Sequence, residues 1–282
     1  MKIKSSTMDK VFVTCNTIFL VLFVTITLYP VLNTVALSFN DGIDAVRGGI
    51  HLWPRIFTLS NYKTVLHQQN ILTGAVVSVA RTVLGTIFSL VTNALLAYII
   101  SRKRFLFRSQ LSLFWVITMY VNGGMIPTLV LYRNMNLTNS YAGLIMVYAG
   151  SSGLGYLICK GFFDTVPVAL REAAKLDGAS EARIFFQIVI PMSRPILVYT
   201  IISSFLTPWT DFVVAKMILN SGVSSDWTVA IGLYNMLQKA LVNSYFSRFC
   251  AGGVLVAVPI SILFVIMQKF YVEGITSGAA KG

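Results

Sequence analysis

The sequence predicts an all-α membrane protein, a bundle of six transmembrane helices with a polar helical hairpin between the fourth and the fifth. Of its 282 residues, 56% are hydrophobic and only 11% are charged, whereas a soluble domain carries about 25% charged residues. The mean hydropathy of +0.75 indicates the same class. The third observation is a charged stretch with helical periodicity, about residues 165–192, which stands between two long apolar runs.

Six apolar runs are long enough to cross a bilayer core of about 30 Å at ~1.5 Å per residue. They cover about residues 11–33, 72–100, 111–132, 141–158, 196–219 and 249–271. The first exceeds the about 7–15 apolar residues of a secretory signal, so we expect an uncleaved helix. We therefore predict three parts. Residues 1–69 contain the N-terminus, the first helix and an outer loop. Residues 70–272 form a core of five helices with the hairpin, and residues 273–282 form a C-terminal tail.

Basic residues predict the orientation of the chain. Most of the 22 Lys and Arg residues fall on the side of the N-terminus, including a cluster in the turn at residues 101–108. Cytoplasmic loops carry such an excess, so we expect both termini and the hairpin to be cytoplasmic. The net charge of +12 then reflects topology, and no nucleic-acid partner is predicted. Three cysteines and two histidines are scattered without metal-ligand spacing, so no metal site is predicted.

The first helix of the hairpin is predicted to begin near Pro167, whose fixed φ suits a first turn. One side of this helix is apolar and the other is charged and solvated. The apolar stripe consists of Ala169, Ala173 and Leu176, and the charged residues are Arg171, Glu172 and Lys175. From the residues alone, an amphipathic hairpin lying on the membrane surface is an equal alternative to a binding surface for a partner.

Gly178 is predicted to end the first helix in the left-handed conformation. Ser180 then offers an N-cap, and Glu181 lies at the positive end of the second helix. Pro191 and Pro195 are expected to close that helix before the next span.

The stretch 172–191 reads EAAKLDGASEARIFFQIVIP. It resembles the EAA loop of the permease subunits of binding-protein-dependent ABC importers, with Ile190 where Leu is usual. Ala97-Tyr98, Trp209-Thr210-Asp211-Phe212 and the tail at 268–282 further resemble carbohydrate permeases, in particular the smaller subunit of the maltose type. Residues 123–127 and 232–236 resemble the branch that serves complex oligosaccharides.

This resemblance implies a permease of the bacterial cell membrane that forms one half of a heterodimer with a second permease subunit. Two copies of a cytoplasmic ATPase would bind ATP and Mg²⁺, an extracellular binding protein would deliver an oligosaccharide, and this chain would bind no cofactor itself. No Gly-Lys-Ser phosphate loop occurs in the sequence, so we do not expect the chain to be an enzyme. The resemblance implies ATPase coupling by Arg171, Glu172, Ala173, Ala174, Asp177, Gly178 and Pro191.

The resemblance also implies two further contact segments. Gly278 and Lys281 of the tail would insert between the ATPases, and Asn220, Ser221 and Gly222 would contact the binding protein. The alternative for the tail is a frayed terminus, and the alternative for the loop at residues 220–222 is a plain surface turn.

Polar residues within the spans are costly unless they face protein or water. Our candidates for the sugar path are Asn122, Tyr199, Trp209 and Asp211. The alternative is helix–helix hydrogen bonding with interfacial aromatic residues. Arg81 would lie either near the outer interface or as a paired charge within the bundle.

Two other functions remain open from the sequence. An ABC importer for a non-sugar solute would share the hairpin. An ion-coupled secondary transporter would need ionisable residues at mid-membrane and repeated halves; Asp211 and Arg81 are the ready candidates, and no repeat is visible.

Overall fold

The computed structural model describes residues 7–150, 152–219, 228–240 and 245–279, and these residues form helices joined by short turns. In chain order the helices are α1 Thr7–Ser38, α2 Gly42–Val46, α3 Ser60–His67, α4 Gln69–Ser101, α5 Arg108–Tyr120, α6 Met125–Asn134, α7 Tyr141–Ala149, α8 Gly153–Phe163, α9 Val168–Leu176, α10 Glu181–Met192, α11 Arg194–Thr210, α12 Val213–Ile218, α13 Val229–Ala240 and α14 Tyr245–Ala279. Among the described residues the only β-type pairing is an isolated bridge between Asn40 and Phe57. The predicted all-α class is confirmed.

Three helices are each long and apolar enough to cross a membrane, namely α1, α4 and α14. Three bent helix pairs pass the same test together: α5 with α6 at 115°, α7 with α8 at 41°, and α10 with α11 at 84°. The described residues therefore supply three to six spans, and the predicted six corresponds to one span for each bent pair.

Three predicted spans are not the continuous helices that their apolar sequence suggested. The fourth, expected over 141–158, is divided into α7 and α8, which meet at an angle of 41°. The third, expected over 111–132, breaks between α5 and α6, where Gly124 has a φ of +89° and the side chain of Asn122 accepts a hydrogen bond from the Gly124 amide at 2.8 Å. The fifth, expected over 196–219, breaks at Asp211, whose carboxylate accepts bonds from the amides of Val214 and Ala215 at 3.2 and 3.1 Å. In the third and fifth spans a polar side chain satisfies backbone groups that a continuous helix would pair, and hydropathy does not register this.

The long loop expected after the first helix is more ordered than its polar composition suggested. The helix α1 runs on to Ser38, and α2 and α3 follow within the loop. The buried side chain of Asn40 accepts bonds from the amides of Arg55 and Ile56 at 2.7 and 2.9 Å. Asn61, also buried, donates to the carbonyls of Ser38 and Asn40. Side-chain amides thus take the place of secondary-structure hydrogen bonds within this loop.

The described residues divide into two compact units, one drawn from 1–69 and 233–257 and the other from 70–232 and 258–282. In the second unit, an apolar core joins the end of α4, before the turn at residues 101–108, to the hairpin. Its most deeply buried side chains include Tyr156, Phe163 and Ile184, which come from α8 and α10. This core fixes the base of the hairpin to the helix bundle.

The close contact of α5 with α8 predicts different effects of substitution at two glycines of α8, Gly153 and Gly161. A Cβ on Gly153 would lie 2.7 Å from the carbonyl oxygen of Trp115, whereas a Cβ on Gly161 would meet nothing within 4 Å. We expect Gly153→Ala to destabilise the protein by about 1–3 kcal/mol through overpacking. Gly161→Ala should be neutral or stabilising by up to about 1 kcal/mol, because alanine favours a helix.

The measurement is the midpoint of thermal unfolding of each purified variant in the same detergent. Equal midpoints for the two variants would show that α5 and α8 do not approach as closely as described.

Candidate functional site

The turn of the hairpin has the local structure that its sequence predicts. Gly178 has a φ of +78°, and its amide donates to the carbonyl of Lys175 at 3.0 Å. The hydroxyl of Ser180 accepts a bond from the amide of Arg183 at 3.3 Å and so caps α10. Pro167 immediately precedes α9. The chain therefore reverses tightly between two helices without an uncapped end at the turn.

The apolar stripe of α9 lies on the outside of the hairpin. Ala169 and Ala173 are exposed, and Leu176 is 89% exposed beside the turn. Glu172 is exposed too, and its side chain has no hydrogen bond or ion pair within the described parts of the chain. An uncovered leucine next to an unpaired carboxylate is an arrangement suited to a partner surface.

The inward side of α9 differs from the expectation in one respect. Ala174 packs against the core, and Asp177 is exposed at the end of the helix. Arg171 was expected to stay solvated with Glu172, but it is half-buried and its Nε atom is buried without an acceptor. Helical periodicity placed Arg171 correctly off the apolar stripe, yet it could not show that this side of the helix faces other parts of the chain.

The second helix of the hairpin ends at Met192, between Pro191 and Pro195, as expected. Residues Phe185–Val189 form a π-helical turn, and the helix continues through Pro191 to Met192. A widened turn is a known way for a helix to accommodate a residue without an amide hydrogen. The exposed Pro191 thus lies inside the last turn of α10.

A cluster of four side chains joins the hairpin to the end of α4. It consists of Glu181 and its neighbours Tyr98, Arg102 and Lys175, and is here called the Glu181 cluster. The Glu181 carboxylate accepts a hydrogen bond from the Tyr98 hydroxyl at 2.7 Å and pairs with Lys175 across the turn at 2.5 Å. The guanidinium of Arg102 lies 3.6 Å from the centroid of the Tyr98 ring and 3.9 Å from the Glu181 carboxylate. One carboxylate therefore connects both helices of the hairpin to α4.

The charge of Glu181 is stabilised in this position. Hydrogen bonds from Lys175 and then from Tyr98 lower the pKa of Glu181 below its ordinary value. A carboxyl group with a lowered pKa in the folded state contributes stability that is present at neutral pH and is lost only as the pH falls through that lowered value. Because the Glu181 side chain is half-exposed, this contribution is modest.

The Glu181 cluster was not among the features predicted from the sequence. Glu181 was assigned only a favourable charge at a helix start, and Tyr98 only a place in a family resemblance. A signal was available in the opposite charges of Lys175 and Glu181 on the two sides of Gly178, which a tight turn brings together.

Within the spans, Asp211 belongs to a hydrogen-bonded network. Its carboxylate accepts a bond from the Tyr148 hydroxyl at 2.7 Å. Arg81 is 1% exposed, donates to the backbone carbonyls of Pro208 and Asp211, and lies 5.6 Å from the Tyr148 ring centroid. Arg81 is therefore buried between helices and bonds the backbone at the break between α11 and α12. It forms no ion pair among the described residues, so the charge pair considered for it is not observed.

The other candidates for the sugar path occupy different surroundings. Trp209 is buried and its ring stacks on Phe205 at 5.7 Å. Tyr199 is half-buried on α11, and Asn122 is exposed in the break between α5 and α6. Their part in a path stays a prediction.

A cavity of about 210 Å³ within the bundle has a lining that sequence reasoning missed. Hydroxyl groups dominate it, and several come from the middle of α4 and from α11. They belong to Ser89, Tyr148, Ser152, Ser203, Ser204 and Thr207. Single serines and threonines spread over separate helices form no sequence motif, so only the packing of the helices reveals this polar cavity.

The structure describes only part of the two segments that were predicted to contact the binding protein and the ATPases. Asn220, Ser221 and Gly222 lie outside the described residues, as does Lys281. Gly278 lies in the last turn of α14, which extends to Ala279 instead of ending near residue 271.

The Glu181 cluster yields a prediction that separates it from the exposed face of α9. We expect Glu181→Ala to increase amide hydrogen exchange over residues 175–185 about fivefold, corresponding to about 1 kcal/mol for charge-assisted bonds at a half-exposed site. Glu172→Ala, on the same hairpin but without a partner, should leave exchange unchanged. In the wild type, exchange corrected for intrinsic rates should not rise between about pH 7 and pH 5, because the lowered pKa keeps Glu181 ionised.

Hydrogen exchange with mass spectrometry on the purified chain measures the effects of both substitutions and the pH dependence of the wild type. Equal effects of the two substitutions would contradict a role for the cluster in fixing the hairpin.

Comparison with known proteins agrees with this geometry. GanQ, a galactooligosaccharides transport system permease protein of Bacillus subtilis (strain 168), is 34% identical over 91% of both chains. MdxG, a maltodextrin transport system permease protein of the same organism, is 31% identical over 95% of this chain and 96% of its own.

A solved structure of a bacterial ABC transporter involved in the import of the acidic polysaccharide alginate shares the fold. The TM-score is 0.86 over 96% of this chain and 100% of the other, at 23% identity. Residues 81–276, which include the hairpin and the Asp211 network, match the family described as binding-protein-dependent transport system inner membrane component. The chain therefore belongs to this family of multi-pass membrane components of ABC importers, as its EAA-like stretch predicted.

Proposed function

We propose that this chain is the permease subunit of an ATP-driven oligosaccharide importer and forms half of the translocation pathway with a second permease subunit. The observation that carries the proposal is the hairpin, which presents Leu176 and Glu172 outward while the Glu181 cluster fixes its inner side to α4. Such an element can receive a partner on one side and pass on the partner's movement through the other.

The coupling follows from rigidity. A cytoplasmic ATPase that binds the outer face of α9 would move α9 and α10 together, because Lys175 and Glu181 pair across the turn. Tyr98 and Arg102 would carry this movement to the end of α4. The spans would then alternate between outward-open and inward-open arrangements around a site near mid-membrane. ATP and Mg²⁺ would be held by two copies of the ATPase, and this chain would bind neither.

The sugar assignment is supported by the relatives and by the hydroxyl-lined cavity. GanQ and MdxG are named for galactooligosaccharides and maltodextrin. The cavity at Ser89, Ser204 and Thr207 offers neutral donors and acceptors, which suit the hydroxyl groups of a sugar and leave no net charge to be compensated. We assign to this cavity a part of the sugar path.

The orientation in the proposal rests on the basic residues. The turn between α4 and α5 is rich in Lys and Arg, and the hairpin lies on the same side as this turn, because Arg102 contacts Tyr98 and Glu181. Both would be cytoplasmic by the excess of positive charge, as would the two termini. An extracellular binding protein would deliver the sugar at the opposite side.

The outer face of α9 gives the first prediction for this function. We expect Leu176→Ser and Glu172→Ala each to weaken binding of the ATPase, by about 1–3 kcal/mol for the leucine, because a leucine buried in an interface loses that much on removal. Leu106→Ser is the matched control, since Leu106 is equally exposed in the neighbouring turn and lies off the hairpin.

The measurement is the amount of ATPase that co-purifies with each variant in mild detergent. Loss of ATPase from Leu106→Ser as well, or its retention by a Leu176→Ser and Glu172→Ala double variant, would contradict docking at α9.

The hydroxyl-lined cavity gives a second prediction for this function. Thr207 lines it, and Thr210 on the same helix does not; each hydroxyl also bonds a carbonyl one turn earlier. We expect Thr207→Val to reduce oligosaccharide uptake about fivefold, corresponding to about 1 kcal/mol for one lost hydrogen bond. Thr210→Val should transport normally.

Uptake of labelled maltodextrin and galactooligosaccharide into proteoliposomes that contain the co-purified subunits measures this effect. Uptake driven by an ion gradient in the absence of ATP would overturn the importer mechanism itself.

A further inference from the structure

A second cavity, of about 640 Å³, lies where α4 ends and α5 begins, beside α8 and α9. It is separate from the exposed face of α9 that carries Glu172 and Leu176 and from the hydroxyl-lined cavity, although Arg171, which the family resemblance assigned to ATPase coupling, belongs to its lining. Its polar lining comes from all four helices and the turn between the first two. The residues that matter for its chemistry are Ser101, Lys103, Arg108, Ser112, Lys160 and Arg171.

The lining carries a surplus of positive charge. Four of its side chains are cationic, and the carboxylate among the lining residues, Asp164, pairs with Lys160 at 2.6 Å. Within the described ranges, Lys103, Arg108 and Arg171 have no ion pair. Three uncompensated cations around one cavity favour an anionic ligand.

One of these cations also has an unmet hydrogen-bond donor. The Nε of Arg171 is buried and has no acceptor among the residues the structure describes. A buried donor without a partner is destabilising, and native proteins usually satisfy such groups with a ligand or ordered water. An anion in the cavity would supply the missing acceptor.

Neutral donors are present at the same place. Phe107, the residue before α5, provides no side-chain cap. The amide of Arg108 bonds the carbonyl of Phe105 at 3.4 Å, so the amides that follow it in the first turn of this 13-residue helix are the ones left for another acceptor. The hydroxyl of Ser112 accepts a bond from Tyr156 at 2.9 Å, and its own hydrogen stays available to donate. Tetrahedral oxyanions such as phosphate bind to this combination of helix start, hydroxyl and guanidinium.

The cavity is not polar on every side. Leu113 and Val116, on the next turns of α5, also line it, and Leu113 is 60% exposed. The stretch of α4 that is long and apolar enough to cross a membrane ends at Ser101, so the cavity lies at the end of this apolar stretch. A ligand with an anionic head and an apolar chain matches both parts of this lining.

The geometry points to a binding site for the phosphate group of an anionic phospholipid. The phosphate lies among Lys103, Arg108 and Arg171, and an acyl chain follows Leu113 and Val116 along α5. Because Arg171 belongs to α9, the bound phosphate links the hairpin to α5 as well as to α4. The lipid composition of the membrane thereby influences how firmly the hairpin is held.

The test is a titration of the delipidated full-length chain, together with the subunits that co-purify, followed by native mass spectrometry. The probes are phosphatidylglycerol, phosphatidylcholine and inorganic phosphate. The variant is Lys103→Gln with Arg108→Gln, both at exposed positions, where we expect the substitutions to leave folding unchanged. The control is Arg104→Gln, a cation of the same turn that is exposed and does not line the cavity.

We expect the wild type to prefer phosphatidylglycerol over phosphatidylcholine. The double variant should bind phosphatidylglycerol roughly 25-fold more weakly, about fivefold for each cation removed near an anionic headgroup. Arg104→Gln should leave the affinity unchanged. If inorganic phosphate displaces the lipid, the cavity is a phosphate site whose ligand comes from solution and not from a lipid headgroup.

Three results would overturn the site. The first is unchanged phosphatidylglycerol affinity in the double variant. The second is an equal loss in Arg104→Gln, which would indicate surface charge alone. The third is a double variant that releases a co-purifying subunit without altering lipid affinity, which would assign the cavity to a protein partner.

Discussion

The hydrogen bond from Tyr98 to Glu181 is the interaction on which the functional arrangement of this chain depends. Without it, the hairpin would be attached to the bundle by apolar packing of α9 and α10, by the longer contact between Arg102 and Glu181, and by the chain ends. Apolar contacts are non-directional and permit sliding, whereas a short bond to a carboxylate fixes both a distance and an angle. The edge-on packing of Phe185 against the Tyr98 ring, with centroids 4.8 Å apart, adds a second directional contact at the same point. A carboxylate that also pairs with Lys175 makes two helices move as one body.

The chain could be assigned to its fold from the sequence because a bilayer imposes a simple rule. Backbone groups in an apolar medium must pair within the segment, so long apolar runs become helices. The same rule explains where the expectation was wrong. At Asn122 and Asp211 a side chain provides the pairing that a continuous helix would otherwise supply. A hydropathy profile averages such single polar residues with their apolar neighbours and so does not show the break. In the loop that follows α1, Asn40 and Asn61 do the same for backbone groups of that loop.

The candidate site could be predicted where its chemistry is local and not where it is assembled from distant segments. The turn at Gly178 and the cap at Ser180 depend on neighbours in sequence, and both have the expected conformation. The Glu181 cluster joins residues about 80 positions apart, and the hydroxyl-lined cavity joins α4 to α11. Arg81 illustrates the same limit, because its burial depends on carbonyl groups at Pro208 and Asp211 that no periodicity in α4 reveals.

The exposure of Leu176 has a consequence for the life of the protein before it is assembled. A leucine that is 89% exposed at the tip of a hairpin resembles, to the cell's proteases and chaperones, the surface of an unfolded chain. We infer that a subunit made in excess of its partners remains recognisable as surplus, whereas an assembled one does not. The same side chain would then serve both assembly and turnover, and the stoichiometry of the complex could be set by degradation as well as by synthesis.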